Sequence, residues 1–111
     1  LENCKIGSIS RINSFAGKTR ANHTHIHDNH IIFLTKGSME IYERKSNSKD
    51  IPNKYVLKVG DLHFTDKMVS HTMYFLEDCE FWCFSKLPRI QFNYENETIR
   101  FDYSLRDIYN N

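Results

Sequence analysis

The sequence predicts an all-β domain, either a sandwich or a barrel. Three observations point there. Apolar runs recur at strand length, turn-forming clusters separate them, and helical periodicity is scarce. Strands are expected over residues 5–12, 20–25, 30–35, 39–43, 54–59, 62–65, 71–76, 80–85 and 98–103. The breakers between them are Phe15-Ala16-Gly17, His27-Asp28-Asn29, Lys36-Gly37-Ser38, the polar stretch 46–53, Gly60-Asp61 and Leu87-Pro88. Stretch 46–53 reads as a surface hairpin loop. Segment 80–85 is the most apolar, so Phe81, Trp82 and Phe84 are expected in the core or along a ligand site. Residues 102–111 are expected to finish a last strand and then form a short helix or a frayed end.

A chain of 111 residues is long enough for one core and not for two, so a single domain over 1–111 is expected. The net charge is +1 and the lysines are interleaved with acids, which leaves no electrostatic footprint for nucleic acid. No apolar run approaches the roughly 20 residues of a membrane helix, and no signal-peptide pattern opens the sequence. Three cysteines, Cys4, Cys79 and Cys83, make an odd count without framework spacing. They are read as free thiols of a reducing compartment, and the expected location is cytoplasmic. Asn22-His23-Thr24 and Asn96-Glu97-Thr98 fit the glycosylation pattern by chance on this reading.

The chemistry concentrates in six histidines, at 23, 25, 27, 30, 63 and 71. His23 and His25 lie two apart on an expected strand, so both side chains point to one side of it. His30 shares a face with Ile32 and Leu34, and His71 with Met73 and Phe75. If those faces line a barrel, four imidazoles converge and make a cage for a borderline metal ion. His27 is a competing ligand that the expected turn turns away. The face taken by His63 stays open. Cys79 and Cys83, four apart on one strand face, are expected near the same pocket as inert thiols.

The spacing around these residues resembles the first motif of the cupin superfamily. Gly17 is followed by five residues, His23-Thr24-His25, four more residues, His30 where the family has glutamate, six residues and Gly37. A second cupin motif is matched by Gly60-Asp61 and by His71. Asp66 stands where the family has proline, Met68 where it has glycine and Phe75 where it has asparagine. The resemblance spans residues 17–75, with motif one over 17–37 and motif two over 60–75. It implies a double-stranded β-helix, the cupin jelly-roll barrel. It also implies His23, His25 and His71 as metal ligands, with His30 in the fourth position. The implied cofactor is a divalent transition metal, Fe, Mn, Ni, Cu or Zn. An all-histidine set leaves the ion its full positive charge, which strengthens its Lewis acidity.

Downstream, Leu87-Pro88-Arg89, Tyr94-Glu95 and Thr98-Ile99-Arg100 resemble the tail of small cupins from polysaccharide and nucleotide-sugar pathways. Three functions follow as alternatives, each with a small-molecule ligand in the barrel. The first is a metal-dependent oxidoreductase or isomerase built on the four histidines. The second is a metal-independent nucleotide-sugar isomerase or epimerase. It would use one of His23, His25 or His71 as base, an acid among Tyr42, Tyr55 and Tyr74, and an orienting carboxylate among Asp28, Asp61 and Asp66. The third is a non-catalytic binding or sensor module. A homodimer is expected, with 5–12 as the contact strand.

Overall fold

The structure is a computed structural model, and it describes residues 5–88 and 96–111. The elements run β1 (Ser8–Ser14), β2 (Thr19–His25), β3 (His30–Lys36), β4 (Ser38–Lys45), β5 (Asn53–Lys58), β6 (Leu62–Thr65), β7 (Val69–Phe75), β8 (Cys79–Ser85), β9 (Thr98–Arg100) and a closing helix α1 (Leu105–Asn110). The expected strands are present, most with ends moved by one or two residues. β1 starts three residues later than read and runs two further, β9 is half as long, and the tail forms the short helix α1, one of the two outcomes expected for it.

Two antiparallel sheets face each other, in the orders β1-β8-β3-β6 and β5-β4-β7-β2-β9. Alternation along each strand builds the core between them. Ile32 and Leu34 of β3, Met39 and Ile41 of β4, Leu57 of β5, Met73 and Phe75 of β7, and Cys79 and Phe81 of β8 form one buried cluster. Phe75 and Phe81 stack across the gap with ring centroids 5.8 Å apart. Trp82 and Phe84 sit at the other phase of β8 and are only half-buried, so of the three aromatics of this strand Phe81 alone is in the core.

β2 carries the feature that matters most for function. Its register against β7 runs Thr19↔Tyr74, Arg20↔Met73, Ala21↔Thr72 and then His23↔His71, so Asn22 is an extra residue, a β-bulge. Ala21 and Asn22 both have left-handed backbone, at φ 73 and 53. Strict alternation from the inward Arg20 would turn residues 22 and 24 inward. The bulge moves the phase by one and turns His23 and His25 inward instead. Asn22 faces outward, where its Oδ1 accepts from the Thr72 hydroxyl at 2.7 Å and its carbonyl accepts from Phe101 N at 3.0 Å.

The outer face of the sheet that holds β2 is covered by the C-terminal segment. Ser104 caps α1 by accepting from Arg106 N at 3.2 Å, and fully buried Leu105 pins the helix, its N–H donating to Thr72 Oγ1 at 3.0 Å. Arg106 lies over the Tyr74 ring at 3.7 Å and Tyr109 against Tyr42 at 5.3 Å.

Two turns explain the glycine pattern read from the sequence. Gly37 links β3 to β4 at φ 85, and a Cβ there would stand 2.4 Å from the Asp78 carbonyl oxygen. Met68 stands where the second motif takes glycine, and it keeps the left-handed backbone that glycine suits, at φ 60. A left-handed L-residue costs about 1–2 kcal/mol, and glycine returns roughly 0.5–1 kcal/mol of that through unfolded-chain entropy. Met68→Gly is therefore expected to stabilise the fold by somewhat under ~1 kcal/mol, read as a higher urea midpoint; an unchanged or lower midpoint contradicts it.

Candidate functional site

One cross-section of the barrel is polar. On one sheet His23, His71 and Glu43 sit side by side in register, and on the facing sheet Thr65, His30 and Ser85 do the same. His23, His25, His30 and His71 are all buried. Ligand nitrogens of His23, His25 and His71 lie within 4.8 Å of one another. His30 approaches from the opposite sheet, its ring 5.1 Å from that of His71 and 5.9 Å from that of His25. The strand phases thus bring together all four histidines read from the sequence, three of them in the tighter group.

Two of these rings are fixed by their other nitrogen. His71 Nδ1 donates to the Val69 carbonyl at 3.1 Å, which leaves Nε2 as its lone-pair nitrogen. Burial is the largest cause that pushes its pKa down from the ordinary 6.5 to about 4, so this imidazole is neutral at physiological pH. His25 Nδ1 lies 2.9 Å from Glu97 Oε2, with the Thr98 hydroxyl 3.4 Å away.

Glu97 is buried and serves three donors. Its Oε1 accepts from the backbone N–H of His27 and from that of Asp28 at 2.7 Å. Burial raises its pKa, and the donors of Asp28, His27 and His25 outweigh that, holding the carboxyl below the usual carboxylate range. Asp28 continues the network by accepting from Leu87 N at 3.0 Å.

The four histidines line a cavity of about 230 Å³ with Arg20, Arg100, Ile12, Met73 and Cys83. Arg20 shares the phase of its inward partner Met73 yet stays exposed, and Arg100, also exposed, sits in register with His23 across β2 and β9, so both line the cavity from its solvent-open side. The cavity therefore has imidazoles in its floor and two guanidiniums in its lining.

Other residues singled out in the sequence fall elsewhere. His27 is exposed, and its backbone rather than its ring serves the site, through Glu97. His63 is turned inward on β6, away from the cavity, with Nε2 3.2 Å from Glu43 Oε1 and its ring 4.8 Å from that of Tyr55. The Thr65 hydroxyl donates to the same Glu43 carboxylate. Tyr42 and Tyr74 do not share the cavity, because each alternates with the inward residues of its strand and faces outward. The Tyr42 hydroxyl donates to Glu40 at 2.7 Å, and burial, together with that carboxylate, pushes its pKa up to about 12. Among the described residues no tyrosine lines the cavity. Asp61 and Asp66 are exposed and accept from the backbone N–H of Lys58 and Lys67. Cys83 reaches the cavity, whereas Cys79 lies in the hydrophobic core and donates to the Ser38 and Glu77 carbonyls. Cys4 and the tail residues Arg89, Tyr94 and Glu95 lie outside the described residues.

Sequence reasoning missed Glu97, Arg20 and Arg100 as parts of the site. Glu97 is 72 residues from His25 and has no local signature. Arg20 carried a signal, three residues before His23, that only the bulge makes readable.

No protein-family model matches the sequence, and no curated protein matches it. Solved structures do. The capsular polysaccharide assembling protein CapF from Staphylococcus aureus superposes with a TM-score of 0.78 at 16% identity, over 89% of this chain and 27% of that one. A 3,4-ketoisomerase from Helicobacter canadensis gives 0.72 at 19% identity, over 95% and 74% of the two chains. WlaRA, a TDP-fucose-3,4-ketoisomerase from Campylobacter jejuni, gives 0.71 at 23% identity, over 94% and 72%. The chain spans less than a third of the CapF chain. These are cupin-fold proteins, and the fold of this chain is the cupin barrel. Among the described residues no helix is long and apolar enough to cross a membrane.

The buried His71 sets a pH dependence. Above about pH 6.5 it is neutral in the folded and the unfolded chain and contributes nothing. Between about 6.5 and 4 the unfolded chain takes a proton that the folded one refuses, so stability falls as pH falls. The full effect is on the order of 3 kcal/mol. Urea midpoints of metal-free protein are expected to drop across this window, with a shallower slope in His71→Gln; equal slopes contradict the assignment.

Proposed function

We propose that the chain acts on a nucleotide-linked keto sugar, moving a proton at a carbon beside the ketone, with the imidazole cluster as reactive centre. One observation carries this reading: four imidazoles and two guanidiniums share one cavity. Imidazole is the side chain suited to both take and return a proton near neutral pH. Guanidinium matches phosphate oxygens in bidentate geometry, so Arg20 and Arg100 suit the diphosphate of a sugar nucleotide. The likeness to 3,4-ketoisomerases and to CapF supports the same reading.

The chemistry balances without any redox partner. A neutral imidazole removes the proton from the carbinol carbon next to the ketone, and the C–H electron pair passes into an enediolate. The proton of that carbinol oxygen moves to the former ketone oxygen, and the former ketone carbon takes a proton. The carbonyl has then shifted by one carbon. Return of the proton to the original carbon from the other side gives an epimer instead. His25, backed by Glu97, is the base on this reading, and His71 stands beside it.

A second reading is favoured by the buried donor set of His23, His25 and His71, with His30 opposite. Neutral imidazoles fit a borderline divalent ion such as zinc, nickel, copper, iron or manganese. Such an ion, when bound, supplies Lewis acidity toward a ligand oxygen. Pairing of two copies belongs to the same proposal, because β1 is a sheet edge that bonds only β8 among the described strands.

In deuterium oxide with a TDP-linked 4-keto hexose, wild type is expected to exchange the hydrogen beside the ketone, with His25→Ala slowed at least ~100-fold. Arg20→Ala with Arg100→Ala is expected to raise KM far more than it lowers kcat. Elemental analysis and exchange after chelation separate the two readings: activity that survives metal removal favours imidazole alone, and activity lost with a stoichiometric ion favours the metal. Binding without exchange identifies a binding module, and neither binding nor exchange removes the proposal.

A further inference from the structure

Glu97 is a buried carboxylate that touches a histidine of the cavity, and it arrives from a distant part of the chain. Its two oxygens have different work. Oε1 holds the turn between β2 and β3 through the backbone N–H groups of His27 and Asp28, while Oε2 faces His25 Nδ1 at 2.9 Å. The Glu97 carbonyl adds a further tie by accepting from Ile26 N at 2.9 Å. An ionised carboxylate only accepts hydrogen bonds. A neutral His25 against it must therefore carry its proton on Nδ1, and its lone pair is left on Nε2.

We infer that Glu97 is a positioning residue that sets the tautomer of His25 and so decides which ring nitrogen has a lone pair for the cavity. The inference rests on the imidazole cluster being the reactive centre only in the use made of that lone pair. A base and a metal ligand both need it, so the positioning serves either reading of the site. It also makes the segment that carries Glu97, and two residues on from Thr98 Arg100, an integral part of the site rather than a trailing end.

Glu97→Gln separates the two tasks. Its amide oxygen can still accept both backbone N–H groups, which fixes the amide orientation because the opposite one would set donors against two donors. The amide N–H then points at His25 Nδ1 and makes that nitrogen an acceptor. The proton of His25 is forced to Nε2 and the lone pair leaves the cavity side.

The test is long-range proton–nitrogen NMR of histidine-labelled, metal-free protein near neutral pH, followed by titration with zinc alone. In wild type His25 is expected to show a protonated Nδ1 and a lone-pair Nε2, and in Glu97→Gln the reverse. Zinc affinity is expected to fall about 10–100-fold in the variant, with the melting temperature nearly unchanged because the backbone ties persist. A wild-type His25 protonated on Nε2 overturns the inference without any variant, and so does a Glu97→Gln protein with the wild-type tautomer. If the tautomer reverses as expected while wild type neither binds zinc nor exchanges deuterium, the positioning role stands and the reactive-centre reading falls.

Discussion

The phase of β2 governs everything inside this barrel. A strand offers alternate residues to its two faces, and a one-residue slip exchanges the whole set. Here the slip is built in at Asn22, between an arginine and a pair of histidines. Without it the inward positions after Arg20 would be Asn22 and Thr24, and His23 and His25 would point toward the covered outer face. With it a guanidinium and two imidazoles from one short strand enter the same cavity. The left-handed backbone of Ala21 and Asn22 is the local strain that this placement requires, and asparagine is among the residues that tolerate it best.

A polar layer inside a small barrel is costly unless each group is satisfied or put to use. The layer is divided accordingly. Glu43 meets Thr65 and His63 at one side, and Glu97 meets His25 and two backbone N–H groups at the other. Between them His71 gives its Nδ1 proton to a backbone carbonyl and is held neutral by burial. The apolar cluster around Phe75 and Phe81 fills the rest of the space between the sheets and keeps these groups away from bulk water.

The sequence made the strands and the inward histidines legible for a simple reason. Period-two patterns such as His30-Ile31-Ile32-Phe33-Leu34 and His71-Thr72-Met73-Tyr74-Phe75 state their own burial. The same alternation excludes Tyr42 and Tyr74 from the cavity, once Ile41 and Met73 are known to be core. Partners brought by distant chain could not be read this way. Glu97 just precedes, and Arg100 ends, a short strand whose polar residues carry no periodic signal, and only the pairing of β9 with β2 gives them meaning. The substitution of Met68 for glycine obscured the second motif, although the backbone there keeps the shape that glycine would take.

The arrival of Glu97 from so far along the chain also separates what holds the barrel together from what sets its proton arrangement. Strands β1 to β8 all precede it, and the apolar cluster between the sheets is built from them alone, so the hydrophobic core does not depend on the carboxylate being in place. The contact between residues 25 and 97 closes a loop of 72 residues, a chain-entropy cost comparable to that of pairing β1 with β8. Without that segment His71 would keep its tie to the Val69 carbonyl, but His25 would have no carboxylate to fix its proton. The proton arrangement of the cavity is therefore a property of the closed chain, completed only where residues 97–100 meet β2.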